Sequence, residues 1–175
     1  DSINKSIPKS KKIWYQKHMA HHLIDMKRIE WIKDFHNVFL IRHPQNVINS
    51  YVKKNDLKNI DELGYPQQWK LIEYLRKNEK DVIVIDSSIL LKNPKKILSD
   101  LCKNLNIEFH EIMLQWDKGP YTTDGIWWKH WYNNVINTTT FQSTQYRNEK
   151  LPIKYYSIYK EAMQYYRQLS KNVLK

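Results

Sequence analysis

Asn37-Val38-Phe39-Leu40-Ile41-Arg42-His43-Pro44-Gln45-Asn46-Val47-Ile48-Asn49-Ser50-Tyr51 reads as a strand, a tight turn and a helix in immediate succession. The unbroken apolar run from Val38 to Ile41, closed by a charge, is the pattern of a short strand buried on both faces. Pro44 suits the first position of a helix, where its missing N–H would find no partner anyway and its fixed φ is already helical. Val47, Ile48, Tyr51 and Val52 then recur at helical spacing, which predicts a helix running to about Asn55.

Working outward, Ile13 to Lys17 is predicted as a short upstream strand. Downstream, a loop holding Gly64 and Pro66 leads into an amphipathic helix with Trp69, Ile72 and Leu75 on its apolar stripe. Asp81-Val82-Ile83-Val84-Ile85-Asp86 is a second strand, and Pro94 opens a helix with Ile97, Leu101, Cys102 and Leu105 along one side. Strands alternating with helices of this length mark an α/β fold, a parallel sheet flanked by helices. From Ile107 the chain turns loop-rich and aromatic, with turn signals at Gly119-Pro120 and Asp124-Gly125. A last helix is predicted from Tyr155 to about Val173. The absence of repeats and of a linker predicts a single domain over residues 1–175.

With 175 residues, 41% of them hydrophobic, the chain has the material for a real core. A net charge of +11 points to an anionic partner: nucleic acid, nucleotide or membrane surface. Part of that charge belongs with the abundance of Lys, Asn and Ile and the scarcity of Gly, a pattern that genomic base composition also produces. No run of about 18 apolar residues occurs, and the opening Asp1-Ser2-Ile3-Asn4-Lys5 stretch is polar, so neither a span nor a secretory signal is expected. Cys102 has no second cysteine to pair with, so nothing calls for an oxidising compartment. A soluble, cytoplasmic protein is the expectation.

Ligands of open α/β sheets gather beyond the carboxyl ends of the strands, which directs attention to Arg42. Its guanidinium presents a fork of donors matched to phosphate oxygens, and the helix opening at Pro44 adds backbone N–H groups and a partial positive charge. Ser50 lies about 60° from Val47 on the helical wheel, at the border of the apolar stripe, where a hydroxyl can reach the same anion. The plainer alternative gives Arg42 a structural salt bridge and leaves Ser50 merely facing water.

The block from Val38 to Tyr51 resembles the 3′-phosphate-binding segment of the cytosolic and tyrosylprotein-type sulfotransferases. In that family an Arg at the strand end and a Ser eight residues on hold the 3′-phosphate of 3′-phosphoadenosine 5′-phosphosulfate (PAPS); Arg42, Pro44, Ser50 and Tyr51 stand at the matching positions. Lys17-His18-Met19-Ala20-His21-His22-Leu23, Leu63-Gly64-Tyr65-Pro66-Gln67 and Trp128-Lys129-His130-Trp131-Tyr132 resemble blocks of a bacterial and plant sulfotransferase-like branch. The resemblance covers residues 13 to about 142 and implies a P-loop NTPase-like sulfotransferase fold. It also implies PAPS as co-substrate, a hydroxyl or amine acceptor as partner, and no metal.

Two departures qualify it. The Gly-rich loop that would cradle the 5′-phosphosulfate is absent, and the family places it on a first strand ahead of Lys17. With Asp1 rather than Met at the start, the expectation is a C-terminal portion lacking the first strand and the loop, inactive or weakly active alone. The other departure is the family's Lys-x-His triplet, which here reads Lys17-His18-Met19. His21 or His22 then takes the role of general base and Lys17 supplies charge to the transferring group.

A metal held by His18 and His22 would need that stretch to be helical, and no H-E-x-x-H pattern supports it. The aromatic group Trp127, Trp128, Trp131 and Tyr132 reads as packing before it reads as a stacking platform. Two rival functions stay open: another P-loop nucleotide-dependent transferase or kinase, and a non-catalytic basic nucleotide- or RNA-binding module. No aromatic RNA-recognition motif appears, so nucleic acid is not the expected partner.

Overall fold

The structure, a computed structural model, describes residues 10–23, 28–122, 124–125, 129, 132–142 and 149–174. Its architecture is α/β, a parallel sheet flanked by helices, with β1 (Asn37–Ile41) and β2 (Val82–Asp86) as neighbouring strands. Val84 makes a further parallel bridge to Val173. The chain divides into two compact units, one of residues 1–84 with 149–173 and one of residues 85–148 with 174–175.

In the first unit, α1 (Pro44–Tyr51) follows β1 and α2 (Tyr65–Lys77) follows the left-handed Gly64, each with a proline in its opening turn. The terminal helix, Tyr156–Leu169, packs against both. Ile41, Ile72, Val84, Ala162 and Leu169 form the central cluster, where the small Ala162 side chain lets the terminal helix approach closely. Ile29, Ile32, Leu71 and Leu75 make a second cluster, and Ile48, Leu57, Leu151 and Tyr155 a third. The chain enters β1 through Asn37, whose amide donates to the carbonyls of Ile32 at 2.7 Å and Phe35 at 2.8 Å.

Three expectations are corrected here. Residues 13–17 form no strand; Ile13 and Tyr15 are exposed, and no described segment pairs with them, so the backbone has no ladder to join. The strand after His36 is not buried on both faces. Phe39 and Ile41 turn into the clusters while Val38 and Leu40 are 40% and 57% exposed, because the described helices that touch β1 meet it through one side of its two-residue repeat. The helix after Pro44 ends at Tyr51 rather than Asn55: the N–H groups of Lys54 and Asn55 both return to the Tyr51 carbonyl, at 3.1 and 3.0 Å, and close the chain into a turn.

In the second unit, the Asp86 carboxylate accepts from the Ser88 N–H at 2.7 Å and caps α3 (Ser87–Lys92), a helix the sequence reading did not anticipate. Asn93 caps α4 (Pro94–Asn104) by accepting from the Lys96 N–H at 3.3 Å. This helix buries Ile97 and Cys102, and the Cys102 sulfur lies 3.9 Å from that of Met113. Farther on, the Trp116 indole donates to the Val135 carbonyl at 3.1 Å and meets Phe141 edge to face. Val135 belongs to α5 (Asn133–Ile136), so the terminal helix is α6. Trp127, Trp128, His130 and Trp131 lie outside the described residues. No helix among the described residues is long and apolar enough to cross a membrane.

Candidate functional site

Arg42 is the first residue past β1 and is exposed. Among the described residues no carboxylate pairs with its guanidinium. Its carbonyl oxygen accepts the Tyr65 hydroxyl at 2.6 Å, which fixes the backbone at the point where the side chain departs. His43 follows as the residue preceding α1. Its carbonyl accepts from Asn46 and Val47, at 3.0 and 3.2 Å, and its ring packs against Tyr166 and Tyr159, at 5.4 and 6.2 Å, on α6.

α1 is seated by its buried side. Ile48 is fully enclosed, and the Asn49 and Gln45 amides donate to one acceptor, the Glu149 carbonyl, at 2.9 and 3.0 Å. The register that buries Ile48 and Asn49 turns Ser50 outward, its hydroxyl without a protein partner among the described residues. At 1.5 Å per residue Ser50 lies about 9 Å along the axis from Pro44. The Arg42 and Ser50 side chains are both exposed, and among the described residues neither has a carboxylate partner.

The other candidates lie on an irregular segment upstream. Lys17 is exposed and engaged in an interaction of its own, and His18 hydrogen-bonds Gln16 at 3.0 Å while packing on Trp31. Met19, where the resembled triplet would have its histidine, is extended and leads into a 3₁₀ turn over Ala20–His22. Only those last three residues are helical, so His18 and His22 do not share a helix face. Among the described residues, no three His, Cys, Asp or Glu side chains gather in a metal-like group.

The two histidines of the turn differ. His21 is half-buried and His22 exposed, their rings edge to face at 4.3 Å. Burial, and secondarily the neighbouring His22, hold the His21 imidazole below its ordinary value. It is therefore unprotonated at neutral pH, the state a general base requires.

Sequence reasoning missed the corner between these two halves. Gly64 sits at φ +76° beneath the turn: a Cβ there would lie 3.1 Å from the His21 backbone nitrogen and 3.4 Å from the Ala20 Cβ. Tyr65, next in sequence, makes the bond to Arg42. The only available signal was the block Leu63-Gly64-Tyr65-Pro66-Gln67, which named the residues without saying what they touch.

A family profile described as "Sulfotransferase domain" matches residues 2–172. Two curated relatives come from Arabidopsis thaliana. "Branched-chain-amino-acid aminotransferase-like protein 2" is 28% identical over 159 residues, covering 91% of this chain and 28% of the relative. "Branched-chain-amino-acid aminotransferase-like protein 1" is 29% identical over 164 residues, covering 94% and 29%. The chain thus spans less than a third of the length of these relatives. Among solved structures, the "Sulfotransferase Domain from the Curacin Biosynthetic Pathway" aligns over 79% of this chain and 54% of that one, at 20% identity and a TM-score of 0.45.

Proposed function

The chain belongs to the sulfotransferase-domain family, and on that premise we propose that the full-length protein transfers a sulfuryl group from PAPS to a hydroxyl or amine acceptor. Arg42 and Ser50 bind the 3′-phosphate of the donor. The observation that carries this reading is the Arg42 guanidinium, exposed at a strand exit, without a carboxylate partner among the described residues and beside a helix entry.

The donor supplies an activated sulfur whose bond to the bridging phosphate oxygen breaks as the acceptor atom bonds to it. Arg42 and Ser50 position that donor by the end remote from the reaction, so its binding energy goes into orientation. His21, unprotonated at neutral pH, takes the acceptor's proton, and His22 is the alternative base on the same turn. Lys17 places positive charge where the leaving oxygen becomes anionic. Binding of the 5′ end falls to a Gly-rich loop that this sequence does not contain.

The test is calorimetric titration of 3′-phosphoadenosine 5′-phosphate into the full-length protein and its Arg42→Ala variant. A hydrogen bond to a charged group contributes about 1.5–3 kcal/mol, so the variant is expected to bind roughly 10- to 100-fold more weakly. Equal affinities, with circular dichroism showing an intact fold, would remove the assignment.

A further inference from the structure

The two halves of the proposed site, residues 42–50 and residues 17–22, are separate in sequence, yet both touch consecutive residues of one corner. Gly64 stands between a 3₁₀ turn (Ile60–Leu63) and α2 in a left-handed conformation that side chains rarely adopt. Its bare Cα is what lets the Ala20–His22 turn approach to 3.1 Å of the Cβ position. Tyr65 is buried in the central cluster, and its hydroxyl donates to Arg42 at 2.6 Å.

The corner is itself stiffened. Asn59 accepts from the Asp61 N–H at 3.0 Å, the Gly64 N–H returns to the Asp61 carbonyl at 3.1 Å, and the Gln67 amide donates to the Asp61 carboxylate at 3.2 Å. Its Glu62 carboxylate accepts the Tyr51 hydroxyl at 3.1 Å, on the last residue of α1. The corner thus meets the helix region twice, at Arg42 before its entry and at Tyr51 at its exit.

We propose that Gly64 and Tyr65 are positioning residues that set the spacing between the nucleotide-binding Arg42 and the histidine-bearing turn, an assignment that rests on the sulfotransferase reading of that site. Tyr65 acts through the Arg42 backbone. Gly64 acts by having no side chain, so that His21 stays seated against the protein beside His22.

The experiment uses the full-length protein in two arms. In the first, 3′-phosphoadenosine 5′-phosphate is titrated into the parent, Tyr65→Phe and Arg42→Ala. Loss of the hydroxyl removes the bond to the Arg42 carbonyl, so Tyr65→Phe is expected to raise Kd up to about tenfold at unchanged circular dichroism. In the second, the His21 and His22 ring protons are followed by NMR against pH in the parent and Gly64→Asn. Asparagine tolerates the left-handed backbone but brings a Cβ to 3.1 Å of the His21 nitrogen, so the turn is pushed outward and His21 titrates at higher pH, towards the ordinary imidazole value.

A folded Tyr65→Phe with parent affinity, alongside a weakened Arg42→Ala, would overturn the role of Tyr65. An unmoved His21 titration in Gly64→Asn would overturn that of Gly64. Parent affinity in Arg42→Ala as well would refute the anion site itself, and the proposal with it. A Tyr65→Phe that fails to fold would make this tyrosine a structural rather than a positioning residue and so overturn its role; the His21 titration tests Gly64 independently, because it needs no nucleotide.

Discussion

α1 is pinned by the fully enclosed Ile48 and by two amides converging on the Glu149 carbonyl, whereas the Ala20–His22 turn buries no residue and leans on the unsubstituted Gly64. The first segment carries the groups assigned to binding, the second those assigned to proton transfer. An anion site gains from donors held fixed before the ligand arrives, since ordering them afterwards would cost entropy. A base must meet an acceptor whose proton lies in a direction set by the acceptor, so its seat only has to control protonation and approximate place. The molecule fixes one half by packing and the other by contact with a corner.

The comparison breaks most decisively at Ile48. Ile48→Ala removes a side chain packed with Leu57, Leu151 and Tyr155, and chemical denaturation should show a loss of about 2–5 kcal/mol. A loss below about 1 kcal/mol would mean that α1 is not anchored from beneath. Asn49→Ala is the finer probe. The Glu149 carbonyl keeps the Gln45 amide, so nothing is left orphaned, and the expected loss is about 1 kcal/mol in the same measurement.

His21 provides the smallest effect and the sharpest contrast. Its folded pKa lies below the unfolded value, so the unfolded chain takes up the proton first as the solution is acidified. The His21 contribution to stability is then complete above the ordinary imidazole value, about 6.5. It is lost as the pH falls through the lower folded value. Melting temperatures of the parent and His21→Asn should converge on acidification across that window and differ above it, modestly, because the ring is only partly buried. Curves that stay parallel would show that the turn does not shelter the ring.

Much of the fold was legible because prolines and apolar runs mark it locally. The strand expected to end at Arg42 ends at Ile41, the one expected over residues 81–86 covers Val82–Asp86, and helices begin at Pro44 and Pro94 as the missing proline N–H dictates. α3 was missed although Asp86-Ser87-Ser88 is a capping pattern, because Asp86 serves twice, closing β2 and capping the helix that follows. The terminal helix, expected to reach about Val173, stops at Leu169 and passes through a further 3₁₀ turn, since Val173 is claimed by its bridge to Val84. No local pattern announces such a pairing.

For the candidate site the sequence offers local pattern alone. Arg42 and Ser50 follow from a strand end and a helical spacing, and the exposure of both is consistent with that reading. The bond from Tyr65 to Arg42 spans 23 residues, and the seat of His21 on Gly64 is likewise a tertiary contact. Periodicity carries no information about which of two buried tyrosines, Tyr65 or Tyr155, will find a carbonyl to serve.

Cys102 gives the second unit its own clock. It is 4% exposed and is the sole thiol in the sequence, so a thiol reagent can label the native protein only when α4 opens. The labelling rate therefore reports local opening around Ile97 and Cys102 without any engineered probe. Compared with global melting, it tells whether residues 85–148 loosen before the half that carries Arg42.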